Sequence, residues 1–101
     1  MQATSYRIQL SDHVELSVWF ATDRGVLVNY AVVLIVEHDG AWHTVRVYDN
    51  AHGQNEMHRH TLGGGKQPAR PFHEGDCGEA MRIARDEVLA RYENMIEGWR
   101  H

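Results

Sequence analysis

Residues 26–38, VLVNYAVVLIVEH, restrict the fold more than any other stretch of the chain. Valine and isoleucine dominate it, and its apolar character runs almost without a break. Such β-branched side chains lose rotamer freedom in a helix and pack well on a pleated surface. The longest unbroken apolar run, AVVLIV (31–36), is far too short to span a bilayer. These residues therefore predict a long central strand, covered at least in part on both faces.

The neighbouring segments supply the rest of a sheet. SYRIQL (5–10) alternates Tyr6, Ile8 and Leu10 with Ser5, Arg7 and Gln9, the period of a strand. VELSVWFA (14–21) follows a short polar break. Thr22-Asp23-Arg24-Gly25 and His38-Asp39-Gly40 are turn signals, because Gly and Asp tolerate positive φ. AWHTVRVYD (41–49) is the expected return strand. Strict alternation would set Trp42, Thr44, Arg46 and Tyr48 on one face and His43, Val45, Val47 and Asp49 on the other. EMHRHTL (56–62) reads as a short final strand, and GGGKQPARPF (63–72) as irregular, broken by three glycines and two prolines.

One helix is expected, over about residues 77–98. Asp76 is its N-cap candidate, and Glu79 completes a capping-box pattern. Met81, Ala84, Val88, Tyr92, Met95 and Trp99 step by three or four, which is one helical face, widened by Ile83, Leu89 and Ile96. Gly98 is the expected stop. A meander needs its apolar face covered, and only one helix is available to do it. The prediction is α+β, an antiparallel meander of four to five strands with one long C-terminal helix across one face. At 101 residues, the chain is expected to fold as a single domain, 1–101.

Composition narrows the functional classes. The one cysteine, Cys77, excludes an internal disulfide, which fits a reducing compartment. The opening MQATSYRIQLSDH lacks the apolar segment of a signal peptide. Together these predict a cytoplasmic protein that does not engage membranes. No motif for a cofactor is present. The net charge of −4 argues against broad, sequence-blind nucleic-acid binding, but the charge is uneven. Residues 1–45 and 74–101 are each net −3, whereas 46–73 carry Arg46, Arg59, Lys66 and Arg70 against Asp49 and Glu56, a net of +2. His52, His58, His60 and His73 fall in the same basic island.

That island holds the candidate chemistry. On a strand, His58 and His60 share a face about 6.5–7 Å apart, and His52 can fold back towards them across the Gly53 turn. Imidazoles near pKa 6.5 accept and return protons at neutral pH. Cleavage of RNA by its own 2′-hydroxyl needs a base, an acid and a cation, and His52, His58, His60, Arg59 and Lys66 supply all three. Asp49 is the candidate to orient one imidazole, and Arg46, Tyr48, Arg59 and Lys66 are the candidates to hold substrate. Two other readings stay open: the histidines form a three-ligand metal site, or they coat a solvated loop. For Asp49 the alternative is a turn cap. GGGK (63–66) is not an NTPase loop, because Gln67 follows Lys66 where Ser or Thr belongs.

Trp42 on a return strand, then VRVYDNAH (45–52), then the His58 and His60 pair and an amphipathic C-terminal helix, resembles the TumE-like toxins of bacterial toxin–antitoxin pairs. The resemblance covers about residues 27–61. It implies a small cytoplasmic α/β protein acting on RNA as a metal-independent endoribonuclease, with an antitoxin protein as partner. A homodimer is a further partner to expect. The competing expectations are a non-enzymatic binding or regulatory module, of phage origin for instance, and a small His-rich metal-binding protein.

Overall fold

The computed structural model describes all residues, 1–101. Its first half is an unbroken meander: β1 (Gln2–Ser11), β2 (Val14–Asp23), β3 (Val26–His38), β4 (Ala41–Asp49) and β5 (Asn55–Thr61), each antiparallel to the last. Local chemistry sets the tight turns. Arg24-Gly25 and Asp39-Gly40 both take positive φ at their two central residues (54° and 80°, 52° and 80°), as a two-residue hairpin compatible with strand twist requires.

The glycine–proline stretch is more regular than its composition suggests. It forms β6 (Gly65–Lys66) and β7 (Arg70–His73), which lie end to end along the outer edge of β5 and bring the sheet to seven strands. Prolines cannot donate to a ladder, but an edge strand has a free side to turn them towards. Pro68 falls in the gap between the two segments, and Pro71 stands opposite Glu56 at an edge.

The helix α1 (Cys77–Arg100) packs on one face of the sheet. Asp76 caps it by accepting from the Glu79 N–H at 2.8 Å, as expected. It runs two residues past Gly98. Its buried residues are Ala80, Ala84, Val88, Met95, Ile96 and Trp99. They meet Leu16, Val18, Tyr30, Val32, Leu34 and Val36 in one apolar cluster of fifteen buried residues. Each fully buried valine or leucine contributes roughly 1.5–3 kcal/mol. Of the expected stripe, Met81 and Tyr92 are only half-buried at its margin, and Leu89 is exposed. The helix follows β3: the Cys77 thiol donates to the Leu27 carbonyl near the strand's start, and the Trp99 ring packs against His38 at its end.

Two further expectations need correction. No element covers the second face of the sheet, so β3 is buried on one side only, and Ala31, Val33 and Ile35 are half-exposed on the other. The face assignment of β4 also changes, because the register slips between Leu34 and Ile35. Val45 is the extra residue. From there towards Ala41 the phase inverts, so that His43, Val45, Arg46 and Tyr48 all serve the helix side. Trp42 is left exposed on the other side.

Candidate functional site

The bulge in β4 and a change of side-chain size along the helix open a groove between them. The first half of α1 buries the smaller side chains Ala80, Ala84 and Val88. The second half buries the larger Met95, Ile96 and Trp99, and the backbone leaves helical geometry between the two at Arg91 (φ −134°, ψ 15°). On the β4–β5 flank this leaves a groove of about 620 Å³. That lies within the roughly 300–1,000 Å³ of small-ligand sites.

Four arginines line it. Arg46 from β4 and Arg59 from β5 are direct partners across the ladder. Arg70 comes from β7, and Arg91 from the helix flank, where Glu87, Arg91, Asn94 and Gly98 make one edge of the helix. Glu87 is the single carboxylate among the lining residues. The opposite flank of the helix is the reverse: a groove of about 440 Å³ with Glu37, Glu93 and Glu97 beside Arg100. The helix therefore separates a basic groove from an acidic one.

The histidines are placed differently from a single converging site. His52 is exposed in the turn before β5, whereas His60 is near the far end of that strand. His58 and His60 do share a face. Register puts it opposite to the face of Arg59, and Lys66 sits across the ladder from His60. His58 is buried, with its Nδ1–H donating to the Gln67 carbonyl at 3.3 Å. His60 borders the groove, and its Nε2 is buried without a partner. Burial, then the nearby Lys66 ammonium and His58, push the His60 imidazolium below the ordinary histidine range. No three His, Cys, Asp or Glu side chains lie close enough together to hold one metal ion.

The remaining candidates have local duties. Asp49 accepts from the Ala51 N–H at 3.2 Å, the turn-cap arrangement, and no histidine bonds to it. Asn50 accepts from the Tyr30 N–H and donates to the Val28 carbonyl, tying the turn to β3. Tyr48 is a core residue, packed edge-on against Phe72, with its hydroxyl 3.4 Å from Arg46 Nη1. Burial raises its phenol pKa.

The whole chain, residues 1–101, matches a family described as a domain of unknown function, DUF7718. The protein belongs to that family. No curated protein matches it, and no solved structure does. For this DUF7718 domain the site therefore has to be read from its own geometry. Arg70, Arg91 and Glu87 are groove residues that the sequence pattern did not single out. Glu87, Arg91 and Asn94 do repeat at helical spacing beside the apolar stripe, which was the one available signal.

Proposed function

We propose that the protein acts on RNA, with the arginine groove holding the phosphates of a single strand. One observation carries this reading: four arginines and one carboxylate line a single groove on a chain whose net charge is −4. Arginine's planar fork suits phosphate oxygens, and gathering like charges without counter-charges is unfavourable unless an anion is expected. The resemblance of residues 27–61 to TumE-like toxins points the same way and adds an antitoxin protein as partner. No helix is long and apolar enough to cross a membrane.

Cleavage of the bound strand is a second reading, favoured by His60. His60 borders the groove as a neutral imidazole whose Nε2 has no partner, and it is equipped to act as a base when the bound strand uncovers that buried nitrogen. It would take the 2′-hydroxyl proton, and the alkoxide would attack the adjacent phosphorus. The bond to the 5′-oxygen would break, with Lys66 returning a proton to that oxygen and a 2′,3′-cyclic phosphate left behind.

Fluorescence anisotropy with a labelled single-stranded RNA, across several salt concentrations, tests the binding. Neutralising about three phosphates gives a slope of log K against log salt of roughly −2, and Arg70→Gln should lower its magnitude by about 0.7. The same RNA on a gel tests cleavage, where His60→Ala should lose about 10²–10⁴-fold in rate while still binding. Binding without cleavage leaves a non-enzymatic RNA-binding module. No binding by the wild type refutes the RNA reading.

A further inference from the structure

Arg46 differs from the other three groove arginines. Its side chain is only 13% exposed, whereas Arg59, Arg70 and Arg91 are exposed. Its position is fixed by the core, between Val45 and, on the same face, Tyr48. Yet its hydrogen-bonding capacity is poorly met. A guanidinium offers five N–H donors. Here Nη1 reaches the Tyr48 hydroxyl at 3.4 Å and Glu87 Oε1 at 3.6 Å, and Nε is buried with no partner. Charge-assisted bonds of this type run about 2.7–2.9 Å when formed. Both contacts are therefore loose, and the Glu87 carboxylate stands in front of the fork without closing on it.

We infer that Arg46 is the primary seat for a phosphate oxyanion in the groove, and that Glu87 is a built-in competitor for that seat, displaced when the phosphate arrives. This rests on reading the groove as a phosphate site. A phosphate supplies what Glu87 does not: several oxygens, enough to meet the Nη donors closely and, once Glu87 has moved aside, the unmet Nε. The displaced carboxylate has somewhere to go. Arg91 lies four residues on along the same edge of the helix, the spacing and order that favour a Glu–Arg pair. Exchange of one anion for another keeps the charge beside Arg46 balanced throughout. The seat is therefore selective for anions strong enough to outcompete a tethered carboxylate. A free phosphate ion and a phosphate within an oligonucleotide share this chemistry.

The test titrates inorganic phosphate and, separately, a short single-stranded RNA into wild type, Glu87→Gln, Arg46→Lys and Arg82→Gln. Isothermal calorimetry reads affinity, and the Arg46 Nε–H signal in the NMR spectrum reads the seat itself. Arg82 is an exposed helix arginine outside the groove, paired with Asp86. Glu87→Gln removes the competing charge and keeps the shape, so phosphate should bind about three- to fivefold more tightly, the scale of a partly exposed ion pair. Arg46→Lys keeps the charge and loses the fork, so binding should weaken severalfold. Arg82→Gln should change nothing. The Arg46 Nε–H signal should move on adding phosphate. Thermal melting confirms that each variant is folded, and Glu87→Gln decides the matter if Arg46→Lys is not. Phosphate affinity that is unchanged or weaker in Glu87→Gln overturns the inference, as does an equal loss in Arg82→Gln. The two proposals fail separately. Tighter phosphate binding by Glu87→Gln, with no RNA binding by wild type or variant, supports the seat and sinks the RNA reading. RNA binding by wild type, with phosphate affinity unchanged in Glu87→Gln, does the opposite.

Discussion

Asn55 makes three side-chain hydrogen bonds from a buried site, and Asn55→Ala tests what they contribute to stability. Asn55 is 8% exposed at the start of β5. Its Oδ1 accepts from the Tyr30 hydroxyl at 2.9 Å, and its Nδ2 donates to the carbonyls of His73 and Gly75 at 3.3 and 3.1 Å. One side chain thus links β3, β7 and the turn that enters the helix. Truncation removes three hydrogen bonds, each contributing about 0.5–1.5 kcal/mol, and strands a buried phenol, so roughly 2–4 kcal/mol should be lost. For a domain of this size that lowers Tm by about 10–20 °C. Urea denaturation followed by tryptophan fluorescence measures it. The partner variant Tyr30→Phe removes the stranded hydroxyl, so Asn55→Ala should cost less in that background, and the cycle should show coupling of about 1 kcal/mol. A loss below 1 kcal/mol for Asn55→Ala, or strict additivity with Tyr30→Phe, would refute the assignment.

Val88 is fully buried under the middle of the helix, so Val88→Asp should abolish the cooperative melt by placing an unpaired charge in the core at a cost of several kcal/mol. His60 should make stability pH-dependent: its folded pKa is lowered, so the unfolded chain binds the proton more readily. Its contribution is complete above about pH 6.5 and is lost as pH falls from there towards the folded value, and denaturation curves of His60→Gln should show a flatter slope in that window. Chelation should leave the melting temperature unchanged, since no three metal-ligating side chains are gathered anywhere in the fold. A drop of many degrees with EDTA, reversed by zinc, would show otherwise.

Local chemistry was readable in the sequence where it acts within a few residues. Arg24-Gly25 and Asp39-Gly40 announce their hairpins through a demand for positive φ, and Asp76 with Glu79 announces the helix start. The period of Val88, Met95 and Trp99 announces the buried face. The strands at Gly65–Lys66 and Arg70–His73 were not readable, because the edge of β5 specifies them and the residues themselves argue against them. The bulge at Val45 has no sequence mark either, since both phases of AWHTVRVYD place some apolar residues on each face. The candidate site followed the same division. Arg46 and Arg59 were singled out from the basic island, but their pairing with Arg70 and Arg91 depends on where the helix lies over the sheet. His52 lies in the turn before β5 and His60 near that strand's far end, so the strand's length keeps them apart, while His58 and His60, two residues apart, share a face and sense each other.

The groove arises from two departures from regularity that reinforce each other. A bulge bends its strand and adds local twist, and the one in β4 falls at Val45, beside Arg46. The helix does the complementary thing, passing from small buried residues to large ones across Arg91. Either change alone would leave a gap for neighbouring apolar side chains to fill, as close packing favours. Here arginines fill it instead. The bulge also lets Val45 join the core while Arg46 beside it faces the groove, so the guanidinium is anchored at its base by residues that cannot shift. His43, on the helix side because of the same phase change, packs against Trp99 and holds the end of the helix in place. A cation fixed in this way needs little reorganisation when an anion arrives, which is what a binding site requires of its first contact. The irregular residues of this fold and the charged ones therefore fall in the same place because the first create the space that the second occupy.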